Sequence, residues 1–227
     1  MQALATAIMP NWNKQFRIIP SKFPPINFFE KLVPSDDMAE IFYLESLTND
    51  RLREEVGDIS LVRPEDRIGG KGSSVVMAAF THIGKNSRFT DGSYGVYYAA
   101  KDLKTAIIET VFWREKFLAY TNESAGEIDM RVYVGRILKP LHDIRSNKFQ
   151  HLHDLNNYLA AQSYALKLRS LGAFGLLYNS VRDTGGQCIA AFRPSAISIP
   201  IQSKHLAYVW NGEKISHIVE KSEVMLA

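Results

Sequence analysis

The stretch RFTDGSYGVYYAAKDLKTAIIETVFWRE, residues 88–115, decides the fold prediction because it holds a loop, a strand and a helix in immediate succession. Two glycines among polar residues predict the loop, and the apolar run GVYYAA, residues 95–100, predicts the strand. Asp102 can cap the helix that follows, since its side-chain oxygen can accept from the free amides of the first turn. The order places Arg88 before the loop and Glu109 inside the helix.

The helix around Glu109 is apolar on nearly all sides. One face collects Leu103, Ala106, Ile107, Val111 and Leu118 at helical spacing. The residues three and four positions from Glu109 are Thr105, Ala106, Phe112 and Trp113, so no lysine or arginine is a helical neighbour. Glu109 therefore either points to solvent from a helix edge or lies in a partly apolar pocket, where a ligand or a partner must balance its charge.

Three residue types in this stretch suit the binding of a nucleotide. Arginine can bind phosphate oxygens with two parallel hydrogen bonds, and a tyrosine ring can stack on a flat base. A carboxylate can stabilise positive charge that develops on a sugar. Arg88, Tyr98 and Glu109 are therefore predicted to share a cleft in which a glycosidic bond is cleaved. A solvated Arg88 and an edge-strand or core Tyr98 are the alternatives.

The rest of the chain mixes predicted strands and helices. Residues 74–80 within SSVVMAAF form a short apolar run between polar residues, and residues 127–138 alternate apolar with polar side chains, so both are predicted strands. A helical pattern covers residues 151–171 and ends before Gly172. Four more strands are predicted in LLYNSVR, CIAAFRP, AISIPIQ and HLAYVW. We predict an α+β fold with a mixed or antiparallel sheet and flanking helices.

The first part of the chain is predicted to be an elaboration of the core. Prolines are dense over residues 20–34, which predicts an irregular extended segment, and residues 35–57 have a helical pattern with Ser35 or Asp36 as cap. We expect residues 1–65 to pack on a catalytic domain formed by residues 66–227, all as one globular unit.

Composition excludes several classes of protein. The net charge is +3, but basic residues are scattered and nearly matched by acidic ones, so no direct nucleic-acid binding is expected. The single cysteine, Cys188, precludes an internal disulfide and is predicted to be a buried hydrophobic residue. No apolar run approaches the roughly 20 residues that cross a bilayer, and the N-terminal run lacks a basic start, so a cytoplasmic protein is expected.

Three other motifs are given ordinary interpretations. Ser180 lies outside any G-x-S-x-G pattern and has no histidine near it in sequence, so a serine nucleophile is not predicted. His151, His153 and Asp154 could suggest a metal site, but residues two apart on a helix face different directions, and a solvated helix start is preferred. Residues 183–186, DTGG, predict a hairpin turn.

The ordered set of these motifs resembles the RES domain family, the toxins of bacterial toxin–antitoxin pairs, which is named for an arginine, a glutamate and a serine. The matching elements are Arg88-Phe89, Gly92, Gly95, Tyr98-Ala99, Thr105-Ala106 with Glu109, Tyr178 to Arg182, Gly185-Gly186 and residues 188–194. This chain has phenylalanine at Phe89, where the family often has tryptophan. Its N-terminal part is also longer than that of the shorter members.

The resemblance implies a fold similar to that of the ADP-ribosyltransferase toxins, with NAD as substrate and no separate cofactor or metal. It implies cleavage of the nicotinamide–ribose bond by water or by inorganic phosphate. Arg88 is expected to contact the phosphates or ribose, Tyr98 to stack near the nicotinamide, Glu109 to act at the scissile bond, and Ser180 to bind the ribose or order the site. An Xre-type antitoxin is the expected protein partner.

Two other functions remain open at this point. The same site could transfer ADP-ribose to a protein target. The chain could also be a catalytically silent binding module, in which Arg88 and Glu109 only pair with each other.

Overall fold

A computed structural model describes residues 4–21 and 57–222 of the chain. Within these ranges it contains three α-helices, α1 (Ser74–Thr81), α2 (Leu103–Tyr120) and α3 (Leu159–Ser170). The strands are β1 (Ala7–Ile8), β2 (Gln15–Pro20), β3 (Tyr97–Ala100), β4 (Gly126–Gly135), β5 (Leu141–Asp143), β6 (Gly175–Asn179), β7 (Gln187–Ala191), β8 (Ile201–Trp210) and β9 (Ile215–Lys221).

The nine strands form a mixed sheet in the order β1-β5-β6-β7-β3-β2-β4-β8-β9. Only β5 and β6 pair in parallel among the described strands, and the other neighbours are antiparallel. The predicted α+β class is confirmed.

Strand β2 lies near the middle of this sheet. It pairs with β4 from Gln15 to Pro20 and with β3 at Phe16. The division of the chain at residue 65 stays a prediction, but this segment of the predicted elaboration completes the core sheet and does not cover it. The helix predicted over residues 35–57 lies outside the described residues apart from Gly57.

The strand prediction for residues 74–80 is wrong, because this segment forms helix α1. Val76, Met77 and Phe80 are all buried. A short segment that is apolar on every side carries no periodic signal that separates a buried helix from a buried strand.

Two other boundaries differ from the prediction. The helix predicted over residues 151–171 is a 3₁₀ helix at Asn147–Leu152 followed by α3. Asp154 interrupts them, since its Oδ1 accepts from the backbone N–H groups of Asn156 and Asn157, both at 2.8 Å. Of the two strands predicted in AISIPIQ and HLAYVW, the structure forms the single strand β8, which begins at Ile201 and follows a 3₁₀ turn at Pro194–Ala196, and β9 lies outside the predicted strands.

The two faces of the sheet pack against different helices. Tyr98, Tyr178 and Cys188 lie on the face that contacts α2 and α3. Tyr97 points to the other face, which packs against α1. Adjacent strand residues point to opposite faces, so this alternation determines which tyrosine can lie near Glu109.

Cys188 is free and buried on β7, as predicted, and burial raises the pKa of its thiol.

The three described helices lack an apolar stretch of the length that a bilayer crossing requires.

Candidate active site

The carboxylate of Glu109 is bound through both of its oxygens. Ser180 Oγ donates to Oε1 at 2.7 Å, and Arg182 Nη1 donates to Oε2 at 2.8 Å. The side chain of Glu109 is 19% exposed and that of Arg182 is 10% exposed. Of the two placements left open by the sequence, the structure shows the partly apolar pocket with a partner for the charge.

Ser180 is held by the turn that follows β6. Its Oγ accepts from the backbone N–H groups of Arg182 at 3.1 Å and Asp183 at 2.9 Å. The backbone N–H of Ser180 donates to the carbonyl of Gly186 at 2.9 Å. Because both acceptor positions of the hydroxyl are used, its single proton points to Glu109.

The same turn is tied to the first turn of α2. Thr105 Oγ1 donates to Asp183 Oδ2 at 2.6 Å, and Lys104 Nζ lies 3.1 Å from Asp183 Oδ1. The bond from Thr105, followed by that from Lys104, lowers the pKa of Asp183. Gly186 lies against this contact, and a Cβ on it would be 2.8 Å from both Asp183 Oδ2 and Thr105. The predicted hairpin turn between β6 and β7 is thus confirmed and anchored one helical turn from Glu109.

Arg182 is the cation that pairs with Glu109, and the sequence pattern assigned it no role. Its Nη2 donates to Tyr158 Oη at 3.1 Å. Its guanidinium carbon lies 3.8 Å from the ring centre of Phe112 and 5.5 Å from that of Trp113. Its Nε is buried and makes no hydrogen bond within the described part of the chain. The Ser-x-Arg spacing just after a strand was the available signal.

Arg88 is buried and is not a solvated surface arginine. Only 5% of the residue is exposed, and its Nη1 donates to the carbonyl of Asp154 at 2.6 Å and to that of Leu152 at 3.4 Å. Its guanidinium carbon lies 4.7 Å from the ring centre of Tyr158, and its Nη2 has no partner in the described ranges. Among the described residues, Glu109 pairs with Arg182 and not with Arg88.

Tyr98 anchors the loop that begins at Arg88. Its Oη accepts from the backbone N–H of Phe89 at 3.1 Å and shares a hydrogen bond with Ser87 Oγ at 2.7 Å. Phe89 is fully buried, with its ring centre 6.5 Å from that of Tyr98 and 4.9 Å from that of Tyr178. Burial raises the pKa of Tyr98 to about 12. The stacking of Tyr98 on a substrate ring stays a prediction.

Helix α3 fixes the other side of this loop through Gln162, which sequence reasoning missed. Its Nε2 lies within hydrogen-bond distance of Asn86 Oδ1 at 2.5 Å, the Ser87 carbonyl at 2.8 Å and the Thr90 carbonyl at 3.1 Å. Gln162 is buried. Arg88 is therefore presented by a loop whose backbone is held from two directions.

His153 is buried, so the prediction of a solvated helix start is wrong for this residue. The backbone N–H of Asn179 points to its Nε2 at 3.3 Å, and its Nδ1 lies 3.1 Å from the carbonyl of Phe149. Both contacts are satisfied by the neutral ring with its proton on Nδ1. Burial lowers the pKa of His153, and nearby Arg88 lowers it further. No group of three metal-ligating side chains is positioned for an ion within residues 4–21 and 57–222.

Arg88, Glu109 and Ser180, three of the four predicted site residues, thus form one connected arrangement. Tyr158 links Arg88 to Arg182, and Arg182 and Ser180 both bind Glu109. Tyr98 contacts the loop that begins at Arg88 and, with Ser87, Thr90 and other residues, lines a cleft of about 170 Å³. That cleft is not lined by Glu109, so Tyr98 and the carboxylate face different spaces here.

The comparisons with known proteins agree with the motif order. The RES domain family matches residues 64–211, a span that contains Arg88, Glu109 and Ser180. The chain belongs to the RES domain family. It is 30% identical over 202 residues to the uncharacterized protein y4oC of Sinorhizobium fredii (strain NBRC 101917 / NGR234), covering 88% of this chain and 84% of that protein.

Among solved structures, a chain of the M. tuberculosis MbcT–MbcA toxin–antitoxin complex is similar, with a TM-score of 0.44 and 10% identity. The alignment covers 89% of this chain and 87% of that one.

Proposed function

We propose that the protein is a toxin-like enzyme that consumes NAD by cleaving the bond between nicotinamide and ribose. The observation that carries this proposal is the partly buried Glu109 carboxylate, which Ser180 orients through a hydrogen bond to one of its oxygens. Membership of the RES domain family supports it.

Cleavage needs stabilisation of positive charge. As the C1′–N bond breaks, its electron pair goes to the nicotinamide, which leaves as a neutral base, and the ribose becomes cationic. A preoriented carboxylate beside that ribose lowers the barrier, by about 3 kcal/mol when judged from single-group deletions in other enzymes. Water then forms the C1′–O bond and loses a proton, or inorganic phosphate forms that bond through one of its oxygens.

Each of the other predicted residues has a role in this proposal. Ser180 orients the carboxylate of Glu109. Arg88 offers its Nη2, which has no partner within the described ranges, to a phosphate or ribose oxygen of the substrate. Tyr98 supports the Arg88 loop through its hydrogen bonds to Ser87 and Phe89. An Xre-type antitoxin that covers the site is the proposed partner, and this part rests on the family resemblance alone.

The test is release of nicotinamide from NAD by the purified chain, measured with and without phosphate. Glu109→Gln keeps the shape of the side chain and should lower turnover about 100-fold, which corresponds to about 3 kcal/mol. Glu123→Gln, at an exposed glutamate after α2, is the matched control and should match the wild type.

Three outcomes separate the functions. A phosphate-dependent sugar phosphate product identifies phosphorolysis, and free ADP-ribose identifies hydrolysis. Label that passes from NAD to protein identifies a transferase. Nicotinamide release that is equal in the wild type and Glu109→Gln removes Glu109 from the mechanism.

A further inference from the structure

We propose that Arg182 is a substrate-binding residue that exchanges Glu109 for the diphosphate of the dinucleotide when substrate binds. The inference rests on the proposed function for the identity of the ligand, and it assigns the main anion contact to Arg182 in addition to the Nη2 donor of Arg88.

The starting point is an electrostatic conflict in the site. Glu109 Oε2 lies 2.8 Å from Arg182 Nη1. A carboxylate already neutralised by a cation at contact distance attracts a second cation only weakly, because the two fields largely cancel. Glu109 can stabilise a ribosyl cation effectively only after Arg182 has moved to another anion.

Of the two arginines, Arg182 is the one that can change partner. Arg88 is held by two backbone carbonyls and lies against the Tyr158 ring, and moving it would break both hydrogen bonds. Within residues 4–21 and 57–222, the guanidinium of Arg182 hydrogen-bonds only to the side chains of Glu109 and Tyr158, and its Nε is a buried donor with no partner there. Phe112, on which the guanidinium stacks, is 38% exposed, so the arginine lies close to the surface.

The exchange keeps every charge paired. A buried cation or anion left without a partner is strongly unfavourable, so a substrate that displaced only one member of the Glu109–Arg182 pair would bind poorly. A nicotinamide dinucleotide carries a cationic base on one side of its ribose and a phosphate on the other. It can therefore place positive charge near Glu109 and, at the same time, phosphate oxygens that accept hydrogen bonds from the guanidinium of Arg182.

The test is calorimetric binding of ADP, which has the diphosphate but no cationic base. Because Glu109 competes with ADP for Arg182, Glu109→Gln should bind ADP about tenfold tighter than the wild type. Arg182→Gln should bind it about tenfold more weakly. Arg136→Gln, at an exposed arginine, is the matched control and should bind ADP like the wild type. Adenosine, which lacks phosphate, should show none of these differences.

The double variant Glu109→Gln/Arg182→Gln distinguishes exchange from general repulsion between Glu109 and ADP. Exchange requires the gain from Glu109→Gln to disappear when Arg182 is absent, whereas general repulsion keeps it. The single variant Arg182→Gln leaves the partly buried Glu109 without its cation and could unfold for that reason. The double variant removes both charges together and avoids this problem.

Equal ADP affinity in the wild type and Glu109→Gln, or a gain that persists in the double variant, overturns the proposal. Nicotinamide release is measured on the same proteins. The ADP pattern without any nicotinamide release refutes the glycosidic chemistry and leaves the exchange standing, and release without the ADP pattern refutes the exchange alone.

Discussion

Ser180 Oγ donates a 2.7 Å hydrogen bond to Oε1 of Glu109 and so joins the turn after β6 to the middle of α2. The two residues are 71 positions apart in the chain. Since the remaining capacity of the hydroxyl is used by two backbone amides of its own turn, the direction of this bond is determined by the turn. The serine of the family motif therefore acts on the glutamate by orienting it.

Replacing Ser180 by alanine removes that orientation. We expect kcat for nicotinamide release to fall roughly 10-fold or more with little change in KM, since the carboxylate is misplaced and the charge remains. Two turn amides also lose their acceptor, so the free energy of unfolding should fall by about 1–3 kcal/mol. Steady-state kinetics and urea titration measure the two effects. Ser216→Ala, on an exposed residue of β9, is the control, and an unchanged kcat in Ser180→Ala would contradict the assignment.

Tyr158 contributes in two ways that can be separated by substitution. Tyr158→Phe removes the hydrogen bond to Arg182 and keeps the ring over Arg88. It should lower the free energy of unfolding by about 1 kcal/mol, and Tyr158→Ala should lower it further because the cation–π contact is also lost. Urea titration of both variants measures the difference. Equal losses would mean that the ring contact with Arg88 contributes nothing to stability.

Thr105 is expected to support the site through Asp183. In Thr105→Val the carboxylate of Asp183 loses its 2.6 Å donor, and we expect a loss of about 1–3 kcal/mol in the free energy of unfolding near neutral pH. The folded pKa of Asp183 is depressed, so its contribution is present above the unfolded pKa of 3.8 and is lost as pH falls through the folded value.

The destabilisation by Thr105→Val should therefore shrink as the pH is lowered below about 4. Thr6→Val, at an exposed threonine, should be neutral at every pH. A Thr105→Val penalty that is the same at pH 7 and at pH 3 would show that the threonine does not act through an ionised Asp183.

His153 makes stability sensitive to mild acid. Its folded pKa lies below 6.5 because the ring is buried, so as pH falls below 6.5 the unfolded chain gains a proton that the folded chain does not accept. Stability should therefore decrease from pH 7.5 to pH 5.5, and His153→Gln should show a smaller decrease. Unfolding by urea at the two pH values measures this. His217→Gln, at an exposed histidine, should keep the full wild-type decrease, and an equal decrease in all three proteins would refute the role of His153.

Local signals predicted the part of the fold that carries Glu109. The loop, β3 and α2 occur where glycines and an apolar run indicated them, because turn geometry and helix starts depend on neighbouring residues. Asp102 occupies the N-cap position of α2, but its side chain does not make the predicted capping hydrogen bond. The absence of a cation beside Glu109 on its own helix left two placements open, a solvent-facing carboxylate or one with a partner elsewhere, and the structure shows the partner. Helix α1 was missed since its short run of mostly apolar residues has no distinguishing period.

What the sequence determined by itself is the set of chemical groups and their order: an arginine before a glycine loop, a carboxylate in an apolar helix, and a serine two residues before a second arginine. Only the tertiary structure decided which groups meet. It placed β2 inside the sheet, buried Arg88 against backbone carbonyls, and paired Glu109 with Arg182 and Ser180. Strand pairing and the packing of α2 against the β6–β7 turn join residues about 70 positions apart, and no local pattern specifies such contacts.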